Sequence, residues 1–281
     1  MSNLPLQGGT RSRGMPKSST VEAPLVSIVT VVYNGAATLE RTIQSVRGQS
    51  YPHIEYIIID GGSTDGTLDI IRRNEEHIDL WISERDKGIY DAMNKGIALC
   101  TGQWVGMINA DDHYLTGAVE RVMNIAAHDP EVVIIHGDIL ILYPNGGTKV
   151  KRARISGFLL KYWEMTLNHP SFFVRRNYYD SHPYDPELRV TGDHHWTLRA
   201  WMEDRAMFHY LPHTLAVFSA GGASMVMPIG NALRESANMY RKLGLGSWHS
   251  ILGAGVKLAL HLPRNLKLKL NQWISSDRDP T

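Results

Sequence analysis

"WVGMINADDHYL", Trp104 to Leu115, carries an apolar run from Trp104 to Ile108 straight into Asn109, Ala110 and two adjacent carboxylates, Asp111 and Asp112. A buried strand that ends in charge needs a partner for that charge, because an isolated carboxylate is not left in a low-dielectric core. Paired acids at a strand end suit a hard divalent cation, Mg2+ or Mn2+, which takes one or two protein carboxylates and fills its other positions with water and phosphate oxygens. The competing reading is a helix N-cap, since an Asp ahead of a helix is common.

Working outward, "PLVSIVTVVYN" (Pro24 to Asn34) and "IEYIIID" (Ile54 to Asp60) are near-continuous β-branched runs, the pattern of parallel strands covered on both faces. Helical patterns alternate with them. Thr38 is placed to cap a helix through Gly48 with Leu39, Ile43 and Val46 on one face, and further helices are expected over Gly66 to Arg73, Tyr90 to Cys100 and Thr116 to Ala127. Short strands are expected at Leu80 to Ile82 and Glu131 to Asp138. This alternation predicts an α/β fold with a parallel, doubly wound sheet, whose ligands sit at the carboxyl ends of the strands near the switch in strand order. Asp60, Asp111 and Asp112 all stand at such ends.

After Asp138 the pattern becomes mixed α+β. "ILILYPNGGTKVKR" has an Asn-Gly-Gly hairpin turn, and the region that follows is rich in Trp, Tyr and His, as expected of a part that closes over substrate. Beyond Gly230 the chain reads as helical and basic. "VKLALHLPRNLKLKLNQWI" sets Lys257, Arg264, Lys267 and Lys269 among leucines, and two readings of it stand: an interfacial segment resting on anionic lipid, or a solvated helix packed on the core. Met1 to Ala23 has no apolar core segment of a signal peptide and is expected to be a disordered leader. The expected division is therefore 1–23 leader, 24–230 main domain (24–138 and 139–230 as its halves) and 231–281 helical tail.

With 281 residues and a formal charge of +1, the chain is long enough for one elaborated domain and carries no charge excess of the kind that nucleic acid attracts. The single cysteine, Cys100, falls in a helical pattern, so core packing and a reducing, cytoplasmic setting are expected. No stretch reaches the roughly 18 apolar residues of a spanning helix.

The glycines of "DGGSTDGT" (Asp60 to Thr67) permit close backbone approach, and Asp60 is suited to accept hydrogen bonds from a base or ribose. Neither the dinucleotide-binding fingerprint nor a Walker loop is present, which argues against a dehydrogenase or a P-loop enzyme. Together, "VSIVTVVYNGAATLERTIQSV", "YIIIDGGSTDGTLDII", "DKGIYDAMNKGIALCTGQWVGMINADD" and "NHPSFFVRR" resemble the family 2 glycosyltransferases, and more narrowly the bacterial branch that builds O-antigen, colanic-acid-type polysaccharides and glycolipids. The resemblance runs from about Pro24 to Ser224.

It implies a GT-A fold, a Rossmann-like mixed sheet flanked by helices, here with a C-terminal helical extension. It also implies an inverting, metal-dependent transfer from a nucleotide-sugar donor, UDP-linked in the favoured reading, to a glycan or a polyprenyl- or lipid-linked acceptor. Residue by residue, Val31 and Tyr33 match the strand end flanking the base, Asp60 the base-binding carboxylate, and Asp86 a further nucleotide-side position. Asn109-Ala110-Asp111-Asp112 matches the Asp-x-Asp-Asp motif, with Asp111 and Asp112 as metal and diphosphate residues and Asn109 in place of the ribose-side acid. "RVTGDHHWTLRAW" puts Asp193 on the position of the catalytic base, with Gly192 where a second acid often stands. His169 matches a position near acceptor or diphosphate, with core packing the alternative. Adjacent His194 and His195 diverge by about 100° on a helix and do not form a metal pair. Arg175 and Arg176 read as a surface pair, and "SAGGAS" (Ser219 to Ser224) resembles a closing loop. Two other classes remain in view: a sugar nucleotidyltransferase, for which no Gly-rich triphosphate loop is present, and a non-catalytic subunit that keeps the fold.

Overall fold

Val26–Val32 (β2) and Ile54–Asp60 (β3) are buried at every position, and their alternate side chains feed two different cores. Val26, Ile28, Tyr56 and Ile58 pack on one face of the sheet, against Leu39, Ile43 and Val46 of Leu39–Arg47 (α1) and Ile70 and Ile71 of Thr67–Arg73 (α2). Val29, Val31, Ile57 and Ile59 pack on the other, against Tyr90, Ala92, Met93 and Ile97 of Ile89–Leu99 (α3). The unbroken apolar runs are thus the sum of two period-2 patterns, each serving its own layer. The computed structural model describes residues 5–20, 23–154, 156–221, 228–257 and 259.

The other elements are Leu6–Gly8 (β1), Leu80–Ser83 (β4), Trp104–Met107 (β5), His113–Tyr114 (β6), Ala118–His128 (α4), Ile134–Leu142 (β7), Thr148–Lys151 (β8), Gly157–Tyr162 (α5), Phe173–Arg175 (β9), Arg176–Ser181 (α6), Gly192–Glu203 (α7), Phe208–Ser219 (β10) and Ile229–Lys242 (α8). They build one sheet in the order β1-β4-β3-β2-β5-β9-β7-β10-β6, with β8 hairpinned onto β7. β4, β3, β2 and β5 are parallel, as the alternation predicts. Beyond β5 the sheet is mixed: β9 is antiparallel to both β5 and β7, and β10 runs parallel to β7 but antiparallel to β6. The chain lays β3 and β4 on one side of β2 and returns to lay β5 on the other. The switch in strand order is therefore between β2 and β5, and their carboxyl ends frame the crevice.

Thr38 holds the N-cap position of α1 without a side-chain cap bond. Cys100 is buried, its Sγ 3.2 Å from the Gly96 carbonyl, and burial pushes its thiol up to about 12, consistent with packing. Among the described residues no helix is long and apolar enough to cross a membrane. Apart from Ala259, the leucine- and lysine-rich stretch from Leu258 onward lies outside the described residues.

The leader departs from expectation. Instead of being disordered, Leu6–Gly8 pairs antiparallel with β4 and covers what would otherwise be an open sheet edge. Arg11 reaches the buried Glu55 at 2.9 Å and Lys17 the buried Asp79 at 2.8 Å. Glu55, 2% exposed, also accepts from Ser27 and from the main chain and hydroxyl of Thr101. The leader's polar composition hid this, because its anchoring comes from ion pairs to acids inside the main domain. Arg11→Ala is expected to lower the unfolding free energy by about 1.5–3 kcal/mol, the scale of a hydrogen bond to a charged group. Urea unfolding measures it, and an unchanged midpoint would show that the other Glu55 donors suffice.

Candidate functional site

The Asn109–Asp112 segment leaves β5 at the crevice, and its burial alternates. Asn109 and Asp111 are half-buried, whereas Ala110 is 7% exposed and Asp112 0%. The segment is a turn, closed by the Asp112 N–H on the Asn109 carbonyl at 3.0 Å, and it sends the two carboxylates different ways, so they do not form a pair. Asp111 opens to the crevice, and its carboxylate accepts no hydrogen bond from another side chain among the described residues. Asp112 turns inward, where its Oδ1 accepts the Ser219 N–H at 2.8 Å and its Oδ2 has no partner among the described residues. The expectation that both are metal ligands is corrected to this extent: the Asp112 carboxylate is enclosed and tethered to the end of β10.

Helix α1 and β10 clamp the turn. The Thr42 hydroxyl lies 2.9 and 2.6 Å from the carbonyls of Ala110 and Asp112, which share its one proton. The Asp111 carbonyl accepts from Arg41 Nη2 at 2.8 Å and from Ser219 Oγ at 2.6 Å. Burial holds the Asp112 carboxyl well above the usual carboxylate range, and the charge of Asp111 adds to this. Burial also raises Asp111, less strongly, while Arg41 opposes the shift.

At the ends of β2 and β3 the predicted residues divide in the same manner. Tyr33 is 67% exposed at the mouth. Val31 is 7% exposed and belongs to the core beneath, so its side chain does not flank a ligand. Asp60 is 0% exposed and its carboxylate is occupied internally, accepting from Ser63 N–H, Ser63 Oγ and Ser83 Oγ. It holds the Gly61–Ser63 turn and is not available to a base. Gly61 matters because a Cβ there would sit 2.5 Å from Asp86 Oδ2 and 3.4 Å from the Tyr33 ring. The absent side chain leaves the carboxylate of Asp86 and the face of Tyr33 side by side at the mouth. Asp86 is fixed in turn by the Gly88 N–H at 2.8 Å.

Asp193 lies half-buried in the first turn of α7. Tyr90 of α3 donates its hydroxyl to the Val190 carbonyl at 2.8 Å and lies 3.3 Å from Asp193 Oδ1. A Cβ at Gly192 would meet the Tyr90 ring at 2.5 Å, so the glycine makes room for the tyrosine that reaches Asp193. Asn94 and Tyr184 exchange side-chain-to-main-chain bonds at 2.9 Å, and Arg189 donates to the Lys87 carbonyl at 3.1 Å. These bonds tie the Asp86 segment to the Asp193 segment.

His169 is buried, bonded through Nε2 to the Tyr184 hydroxyl at 2.7 Å, and lowered by burial against the opposing influence of Asp193. His194 and His195 are both pushed down to about 4, principally by burial, and His194 Nε2 donates to the Leu160 carbonyl. Arg175 and Arg176 lie away from the crevice, at the amino end of β5, bonded to the carbonyls of Val132 and Gly102. Of "SAGGAS", Gly222 to Ser224 lie outside the described residues.

Sequence reasoning overlooked Arg41, Tyr90 and the tethering role of Ser219. Arg41 and Tyr90 read as ordinary helix positions, because their partners are about 70 and 100 residues away. For the carboxylates no local signal was present, because they lie in a turn past the strand end and their burial is set by Thr42 and Ser219 from distant elements.

No three His, Cys, Asp or Glu side chains among the described residues come together as a metal cage. A single open carboxylate at 111 beside the Asn109 amide nevertheless fits Mg2+ or Mn2+, which keeps most of its coordination for water and phosphate.

The glycosyl transferase family 2 model matches residues 27–182, more than half of the chain. The PGL/p-HBAD biosynthesis glycosyltransferase of Mycobacterium bovis is 28% identical over 232 residues, covering 79% of this chain and 88% of the relative. Glycosyltransferase AglE of Haloferax volcanii is 28% identical over 193 residues, covering 64% of this chain and 62% of its own. Among solved structures, S. aureus TarS 1–349 in complex with UDP-GlcNAc superposes with a TM-score of 0.60 at 15% identity, covering 82% of this chain and 70% of that one. The mannosyltransferase PcManGT from Pyrobaculum calidifontis, in complex with GDP-Man and Mn2+, superposes with a TM-score of 0.56 at 18% identity, covering 95% and 85%. These likenesses identify the fold as GT-A.

Because the folded pKa of Asp112 is raised, its contribution to stability is fully present below the ordinary carboxylate pKa and is lost as pH rises through the folded value. In metal-free buffer, Asp112→Asn is therefore expected to melt higher than the wild type at pH 8, with the difference closing at pH 4. Scanning calorimetry at the two pH values measures this; a lower melting point at pH 8 would show that the ionised carboxylate is stabilising.

Proposed function

The chain belongs to glycosyl transferase family 2, and from that premise we propose that it is a metal-dependent inverting enzyme moving a hexose-type sugar from a UDP-linked donor to a glycan or lipid-linked acceptor in the synthesis of a cell-surface polysaccharide or glycolipid. The observation that carries this reading is the separation of jobs at the crevice. Asp111 and Asn109 are open at the switch point, and Asp86 and Tyr33 stand together at its nucleotide side. Asp193 is on a different element and is reached through Tyr90. The named relative in glycolipid biosynthesis supports the acceptor class, and the UDP-GlcNAc and GDP-Man complexes of the structural neighbours support a nucleotide-sugar donor.

In this reading Tyr33 supplies a face for the base and Asp86 accepts from the nucleoside. Asn109 donates or accepts at a hydroxyl, which a neutral amide does without the charge of an acid. Asp111 holds the cation, which when bound neutralises charge on the departing diphosphate. The acceptor hydroxyl oxygen bonds to the anomeric carbon as the carbon–oxygen bond to the diphosphate breaks. Asp193 takes the hydroxyl proton and the nucleoside diphosphate leaves with the bonding pair. His169 stands behind this side, neutral and fixed by Tyr184.

Isothermal titration with UDP, GDP and dTDP, each with and without Mn2+, tests the donor side. Metal-dependent binding of one of them, abolished by Asp111→Asn, is expected. Asp193→Asn is expected to keep that binding and to lose about 10²–10⁴-fold in turnover, the usual share of a general base. Turnover at the wild-type rate would remove Asp193 from the role. Absence of nucleotide binding under every condition would favour a non-catalytic use of the fold.

A further inference from the structure

We propose that Arg41 is a phosphate-binding residue of the donor site, a cation held ready at the diphosphate end of the crevice beside Asp111. The inference rests on the nucleotide-sugar reading above and adds a residue to it.

Arg41 sits in the first turn of α1, an element that begins just past the carboxyl end of β2. It is exposed, yet its guanidinium is not left to wander. Nη2 donates to the Asp111 carbonyl at 2.8 Å and to Ser219 Oγ at 3.1 Å. Ser219 is itself fixed, donating its N–H to Asp112 and its hydroxyl to the Asp111 carbonyl. Two of the five N–H donors of an arginine are thereby committed. Those on Nε and Nη1 find no partner among the described residues.

The charge is close enough to act on Asp111 and Asp112, yet it forms no ion pair with either carboxylate among the described residues. Arg41 is anchored instead on a neutral carbonyl and a hydroxyl. That arrangement leaves both charges unspent, the acid of Asp111 free for a cation and the fork of Arg41 free for an anion. A metal-bound diphosphate presents both at once. A planar fork that offers two parallel N–H donors matches phosphate geometry better than an ammonium does. Because most of its side-chain freedom is already lost to the two anchoring bonds, binding costs less ordering.

A purely structural arginine would be expected to satisfy Asp111 or to lie across the surface. One that only clamped the turn would act through the cation at Asp111 and weaken Mn2+ binding itself, so Mn2+ affinity is measured beside nucleotide affinity and the test turns on that difference. The nucleoside diphosphate that the wild type binds in the presence of Mn2+ is titrated into Arg41→Ala, Arg41→Lys and the wild type, together with the corresponding nucleoside monophosphate. Thermal midpoints are recorded alongside. The expected result is an affinity loss of about ten- to a hundredfold for the diphosphate in Arg41→Ala, the scale of one charge-assisted bond. Arg41→Lys should recover part of it, and monophosphate affinity, Mn2+ affinity and the midpoints should be unchanged.

Equal losses for diphosphate and monophosphate, a matching loss of Mn2+ affinity, or wild-type affinity in Arg41→Ala, would overturn the proposal while leaving the donor site in place. Failure of the wild type itself to bind any of UDP, GDP or dTDP would remove the nucleotide-sugar reading, and the role of Arg41 with it.

Discussion

The crevice depends on one constraint, the course of the Asn109–Asp112 turn, which is closed by the Asp112 N–H on the Asn109 carbonyl at 3.0 Å. At the end of β5 this puts Asn109 and Asp111 toward solvent and Ala110 and Asp112 into the fold. The inward carboxylate is costly, with one oxygen unpartnered and its charge disfavoured by burial. What it secures is the Ser219 main chain, and through Ser219 the end of β10 is joined to the turn that carries Asp111. A buried polar group of this kind gives positional definition at the expense of stability.

The same division recurs at β3. Asp60 is spent on Ser63 and Ser83, and the residue after it is a glycine, which yields its place to Asp86. In both positions the buried acid is structural, and the acid that meets the crevice stands elsewhere: Asp86 on a loop, and Asp111 one residue before Asp112. The buried acids set the backbone course and the exposed ones are free to take ligands.

Much of this fold was legible from the chain. The parallel strands β2 to β5, the buried faces of α1 and α3, the β7–β8 hairpin and the packing of Cys100 follow from periodicity and turn chemistry, because each is determined by residues close in sequence. What escaped was set by distant partners. β9 has three residues and no pattern of its own, yet it enters between β5 and β7 and reverses the strand direction there. The leader is largely polar, and what orders it lies far along the chain: the edge of β4 and the acids Glu55 and Asp79. The site shows the same divide: residue types and strand ends located the crevice, whereas burial decided which acid faces it, and burial of Asp60 and Asp112 is a property of the assembled layers.

Helix α3 joins the two sides of the proposed reaction. Its leading loop carries Asp86, its first turn carries Tyr90 against Asp193, and Asn94, about one turn farther along, holds the main chain of Tyr184, whose hydroxyl meets His169. One short rigid element therefore sets the distance between the nucleotide side and the carboxylate on the acceptor side. An inverting displacement requires the attacking and leaving oxygens to lie on opposite sides of one carbon, and errors on the order of 1 Å in that alignment are expensive. A bridge made of helix backbone and aromatic packing resists such errors better than two separately mobile loops would.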